Sequence, residues 1–176
     1  MIISDRKMEA EAALTVGRLM AAAARTSPKG KGDDTIVTLL LTGDEKKRVA
    51  KRMEKIAADE DIPFFKRDAD NIYDVPAVLV IGTEFRPLGV PHCGDCGYDD
   101  CQACLKEGQG RCNFNVIALG IALGSAVSVA ALHHVDNRIM FSCAKAVLEL
   151  GMLPPEVKMA YAIPLSITGK NPFFDR

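Results

Sequence analysis

Cys112-Asn113-Phe114-Asn115-Val116-Ile117-Ala118-Leu119-Gly120-Ile121-Ala122-Leu123-Gly124-Ser125-Ala126-Val127-Ser128-Val129-Ala130-Ala131-Leu132-His133-His134-Val135 runs without one charged side chain. How this stretch is read decides the fold. Val116–Leu132 is apolar enough, and nearly long enough, to span a membrane. Yet it carries Gly120, Gly124, Ser125, Ser128 and the pair His133-His134, its only aromatic is Phe114, and the chain has no second such stretch. We read it as a helix buried in the core of a soluble domain, with no membrane partner. Gly120, Gly124 and Ser128 recur every four residues on one helix face. A strip of small side chains lets a second helix come close, as at a soluble dimer interface.

The flanking sequence alternates helix and strand signals. Ser4 or Asp5 can cap a first helix with Met8, Ala12, Val16 and Met20 at helical spacing, stopping before Pro28. Thr35–Thr42 and Ala77–Thr83 read as buried strands, and Tyr161–Thr168 as a last strand before a tail from Gly169. Asp44 is expected to cap a helix to about Ala58, and Ile62–Asp74 is a mixed segment with room for a short helix. After the apolar helix, Asp136 is expected to start another, with Ile139, Cys143, Val147 and Leu150 inward and Gly151 ending it. The 176 residues suit a single domain, 1–176, of α+β class with helices around a small sheet. A net charge of −1 gives no global field to draw nucleic acid or an anionic membrane.

Residues 87–112 form a long loop that carries the chemistry. Within it stands Cys93-Gly94-Asp95-Cys96-Gly97-Tyr98-Asp99-Asp100-Cys101-Gln102-Ala103-Cys104, and Cys112 follows eight residues later. No apolar leader precedes Ala13, so the expected setting is a reducing cytoplasm, where clustered cysteines are metal ligands or redox groups rather than disulfides. Thiolates in this number suit zinc or an iron–sulfur cluster. Structural zinc sites commonly use two well-separated Cys-x2-Cys knuckles, whereas here the pairs lie only four residues apart. Gly94, Gly97, Gly108 and Gly110 would let the backbone wrap a wider cluster and aim amide N–H groups at sulfur. Spacing leans to the cluster and leaves zinc open. Cys143, on the apolar face of a helix, reads as a small buried hydrophobe.

Two basic segments stand out. Arg25-Thr26-Ser27-Pro28-Lys29 holds two cations and two hydroxyls in five residues, which suits either a solvated loop or a grip on phosphate. The helix after Asp44 carries Lys46, Lys47, Arg48, Lys51, Arg52 and Lys55, which reads as a solvated face or as a dock for an acidic electron-carrier protein. His92 is expected to be a neighbour of the cysteines rather than a ligand, and His133-His134 to close the apolar helix. Hydrolase elbow, P-loop and dinucleotide fingerprint are all missing.

Cys93-Gly94-x-Cys96-Gly97-Tyr98-x-x-Cys101, Gly110-x-Cys112, Gly120-Ile121-Ala122-Leu123-Gly124-Ser125-Ala126, Val135-Asp136-Asn137-Arg138-Ile139 and Ile163-Pro164-Leu165-Ser166-x-x-Gly169-Lys170-Asn171-Pro172-x-Phe174-Asp175-Arg176 resemble a prokaryotic family of ferredoxin-domain-containing proteins. The resemblance implies a [4Fe–4S] cluster held by Cys93, Cys96, Cys101 and Cys112, with Cys104 as the alternative fourth ligand. Arg-x-Ser-x-Lys after a first helix is similar to the flavin-phosphate segment of nitroreductase-like proteins, which carry FMN at a homodimer interface. That resemblance implies FMN held by Arg25, Ser27 and Lys29, with Lys170 and Arg176 from the tail, in an oxidoreductase acting on an unknown small-molecule acceptor.

Overall fold

A computed structural model describes residues 1–107 and 111–174. Its centre is a four-stranded sheet made of β1 (Ile36–Leu41), β2 (Ala77–Glu84), β3 (Asp136–Asn137) and β4 (Val157–Ser166). The strands lie in the order β1-β2-β4-β3, and every pairing is antiparallel. β2 reads Ala-Val-Leu-Val-Ile-Gly-Thr-Glu and buries both of its faces. Val78 and Val80 project to one side, and Leu79 and Ile81 to the other. Such a strand must be covered twice, which dictates three layers.

On one side lie α1 (Asp5–Thr26) and α5 (Asn113–Leu132), and on the other α2 (Gly43–Glu60), α3 (Pro63–Tyr73) and α6 (Phe141–Glu149). α1 begins at Ser4, whose Oγ accepts from the Lys7 N–H at 3.4 Å, and buries Ala13, Val16, Gly17, Met20 and Ala24 on one stripe. Gly17 belongs there for space, because a Cβ would stand 3.0 Å from Leu40 and 3.1 Å from Leu165. α3 starts with Pro63 at its first position, where the missing N–H costs nothing.

Several expectations change here. α2 is capped at extended Thr42, and Asp44 sits in the first turn instead. Its basic face is only partly free. Lys46 is buried and donates to the carbonyls of Tyr73 (2.6 Å) and Val75, while Lys47, Arg48, Arg52 and Lys55 pair with Asp44, Glu45, Glu149 and Asp59. Asp136 starts no helix. It pairs with Ser166 in β3, and α6 begins only at Phe141, so Ile139 is exposed rather than inward. The long cysteine loop contains α4 (Cys101–Glu107).

α5 is long and apolar enough to cross a membrane, but its inward face is spent inside the domain. Ala118, Leu119, Ala122, Ala126 and Ala130 pack on α1 and on Leu79, Ile81, Ile163 and Leu165 of the sheet. Its other face, with Ile117, Gly120, Ile121, Gly124, Ser128 and Leu132, turns outward and includes the strip of small residues. A Cβ at Gly120 or Gly124 would meet nothing within 4 Å.

Candidate functional site

The cysteine segment leaves the end of β2 and returns into α5, and four polar ties hold it there. Asn115 is buried at the start of α5, and its Oδ1 accepts from the Arg86 N–H at 3.1 Å. Asn113 donates to the Asp95 carbonyl, and Lys31 donates to the Leu88 carbonyl at 2.9 Å. The Arg86 guanidinium reaches back to Asp33. Gly30 seats the basic loop against the segment, since a Cβ there would lie 2.8 Å from Leu88 and 3.0 Å from Phe114. The two regions singled out in the sequence are therefore neighbours. Asn113 and Asn115 are anchors that sequence reading passed over. Two amides at the start of an otherwise apolar helix were the available signal.

Within the segment, Asp100 starts α4 by accepting from the Ala103 N–H at 2.8 Å. This turn carries Cys101 outward and Cys104 inward. Cys104 and Cys112 are buried, while Cys93, Cys96 and Cys101 are half-buried and all are free thiols. The Cys104 thiol has Cys96, Cys101 and Cys112 as sulfur neighbours. Burial, and then these sulfur neighbours, push its pKa up. Tyr98 lies near these thiols, its phenol pKa raised by burial first, then by Glu107, Cys104 and Cys96. Among the described residues no three His, Cys, Asp or Glu side chains close onto a metal-ion position. The donor set is nevertheless all thiol, which fits zinc or an iron–sulfur cluster by softness.

Cys143 is a different group. It is fully buried under α6, and burial, with Asp68 second, pushes its thiol up to about 12. Asp68 itself is buried, accepting from Ser142 Oγ at 2.5 Å and from Arg67 at 2.8 Å.

The loop after α1 spends most of its polarity on the helix end. Ser27 Oγ donates to the Ala24 carbonyl at 2.8 Å. Lys29, its side chain 6% exposed, donates to the carbonyls of Ala24 (3.5 Å), Arg25 and Ser27 (2.8 Å). These cover the orphan carbonyls of the last helical turn. Arg25 pairs through Nε with Asp34 at 2.9 Å and donates through Nη1 to the Ile36 carbonyl. Its Nη2 has no partner among the described residues and is the cation of this loop turned outward. Lys170 lines a cleft of about 520 Å³ with Arg67, Asn71, Arg138, Asn171 and the ring of Phe174, and that cleft includes no residue of the Arg25–Lys29 loop. Arg176, like Gly108 and Gly110, lies outside the described residues.

Residues 108–176 match the model of a family described as uncharacterised proteins containing a ferredoxin domain (DUF2148). The match takes in Cys112 but begins after Cys104. A protein of Archaeoglobus fulgidus is 39% identical over 184 residues, covering 100% of this chain and 98% of the relative. Among solved structures, a nitroreductase with bound FMN from Desulfitobacterium hafniense superposes with a TM-score of 0.59 at 14% identity, over 100% of this chain and 85% of that one. A nitroreductase-like family protein from Bacillus cereus gives 0.60 at 12% identity, over 92% and 78%. Identity this low speaks for a shared fold and no more.

Proposed function

The chain belongs to the family of proteins containing a ferredoxin domain, and on that premise we propose that it is a redox protein with an iron–sulfur cluster on its cysteine segment and FMN beside it. The observation that carries this reading is five free cysteines, Cys93, Cys96, Cys101, Cys104 and Cys112, on one segment clamped against the basic loop. We take the cluster as [4Fe–4S], with Cys93, Cys96 and Cys101 as ligands and either Cys112 or Cys104 as the fourth.

For the flavin phosphate, Arg25 offers the outward guanidinium edge, and Ser27 and Lys29 hold the loop that presents it. When bound, a cluster supplies one-electron transfer and FMN accepts one electron or two, so together they would serve an oxidoreductase acting on a small-molecule acceptor. The chain's own residues contribute placement and shielding. Asn113 and Asn115 fix the segment to α5, and Tyr98 limits water at the thiols. We further propose a homodimer formed through the open face of α5, electron delivery by a carrier protein, and a reducing cytoplasmic setting in keeping with six free thiols.

The test is protein made and purified without oxygen, scored for visible absorbance and for iron, sulfide, zinc and releasable FMN. Serine is then placed singly at Cys93, Cys96, Cys101, Cys104 and Cys112. Iron and sulfide near four per chain are expected, with loss in four of the five variants. The silent variant identifies the spare cysteine. One zinc per chain with no brown absorbance would replace the cluster reading with a structural zinc site.

A further inference from the structure

One small pocket is lined in part by Arg111, the residue before Cys112, and is used by nothing described so far. Its lining comes from Arg111, from Phe141, Lys145 and Leu148 on α6, and from Lys158, Met159, Ala160 and Tyr161 on β4, around a volume of about 100 Å³. We propose that this pocket binds a small flat organic anion, with an aromatic carboxylate as the chemical class.

Charge is the first observation. Three cations line the pocket and no carboxylate does. Arg111, Lys145 and Lys158 form no ion pair among the described residues, in contrast to Lys47, Arg48, Arg52 and Lys55 of α2. Like charges gathered in one cavity repel, and an anion relieves them. Arg111 adds the planar fork that grips a carboxylate through two parallel N–H groups.

The walls are the second. Phe141 and Tyr161 bring two aromatic rings, and Met159 and Leu148 fill in between. Lys145 Nζ already sits 5.1 Å above the Phe141 ring, and the Arg111 guanidinium 5.1 Å above Phe85. Both cations are thus held in place by ring faces rather than by acids. The volume is of the order that holds a benzene-sized ring, since an apolar cavity of roughly 150 Å³ takes up benzene.

The sheet edge is the third. β4 exchanges both hydrogen bonds of Ala162 with Met140, at 2.7 and 3.0 Å, on the edge away from β2. By the two-residue alternation of a strand, Ala160 turns its N–H and C=O to the same edge, and there it has no backbone partner among the described residues. Its N–H is a further donor for an anion in this pocket. Size argues for a small molecule over an acidic protein surface, which would need a broad exposed cationic patch rather than a cavity. The inference concerns binding and holds whatever the cysteines carry.

The test is calorimetric titration of full-length protein, purified without oxygen, with benzoate, benzyl alcohol and inorganic phosphate. Benzoate is expected to bind and benzyl alcohol is not. The double variant Lys145→Gln/Lys158→Gln should weaken benzoate by about tenfold or more, the loss of a charge-assisted hydrogen bond. Both lysines are exposed, so the fold is expected to survive, which circular dichroism checks. Phe141→Ala should weaken benzoate and leave phosphate unaffected. Lys51→Gln on α2 should change neither. No benzoate binding, or equal affinity in the double variant, overturns the proposal. Phosphate binding tighter than benzoate overturns the aromatic class.

Discussion

Cys104 and Cys143 are the same side chain put to opposite uses. Cys104 is buried with other cysteines as neighbours, whereas Cys143 is sealed in the core near Asp68 with its thiol pushed up to about 12. A thiol near 12 holds its proton while the same thiol in the unfolded chain loses it near 9. As pH rises past 9 the unfolded state binds fewer protons than the native one, so Cys143 lowers stability until about pH 12. Comparing urea unfolding of the wild type and Cys143→Ala at pH 8 and 10 isolates this effect. The wild type should lose up to roughly 1.4 kcal/mol per pH unit more than the variant. In the native state at pH 8, iodoacetamide should leave Cys143 unlabelled. Lys46 teaches a related lesson. Sequence placed it on a solvated basic face, yet its ammonium closes the carbonyls of Tyr73 and Val75, and burial lowers its pKa. Lys46→Met should cost about 1–3 kcal/mol in urea unfolding, the penalty of two carbonyls left without a donor. Helical spacing sets Lys46, unlike Lys47, on the stripe of Val49 and Met53, but the carbonyls its ammonium closes come from beyond α2.

The elements were readable wherever a long repeating pattern existed. α1, α2 and α5 follow helical spacing, and β2 is an uninterrupted run of strand formers. Short elements were not. β3 has two residues and exists only because Asp136 and Asn137 meet Ser166 and Leu165. α4 is a single glycine-flanked segment capped by Asp100, too brief for a periodic signal. Between elements, close approach decides the site. Gly30 brings the basic loop against Leu88 and Phe114. Gly30→Val should force these apart, cost about 1–3 kcal/mol in thermal unfolding, and lower the iron content of anaerobically made protein. Gly169→Ala, where a Cβ meets nothing within 4 Å, serves as the neutral comparison. Equal iron and stability in both would show that the contact does not shape the segment.

Taken entire, the molecule is a sheet covered on both sides with one helix face left bare. The outward side of α5 joins Ile117, Ile121 and Leu132 to Gly120, Gly124 and Ser128, where backbone can come close to backbone. If a second copy covers this face, sedimentation should show a dimer. Ile121→Glu should then raise its Kd by roughly a hundredfold, as for a buried side chain at an interface centre. An unchanged dimer would move the interface elsewhere.

Sequence alone was enough for the α+β class, the helix of α5, the buried strands and the crowding of cysteines in one segment, because spacing and composition are local and survive without a partner. Only the folded chain decided which thiols face Cys104, that Ser27 and Lys29 serve the end of α1, that Lys46 is inside, and that Lys170 lines a cleft away from Arg25. Those outcomes depend on layers meeting across the sheet, between residues far apart in the chain. Side chains of one type are sorted there by burial and by the nearest carbonyl, and nothing in their immediate neighbours along the chain records that choice.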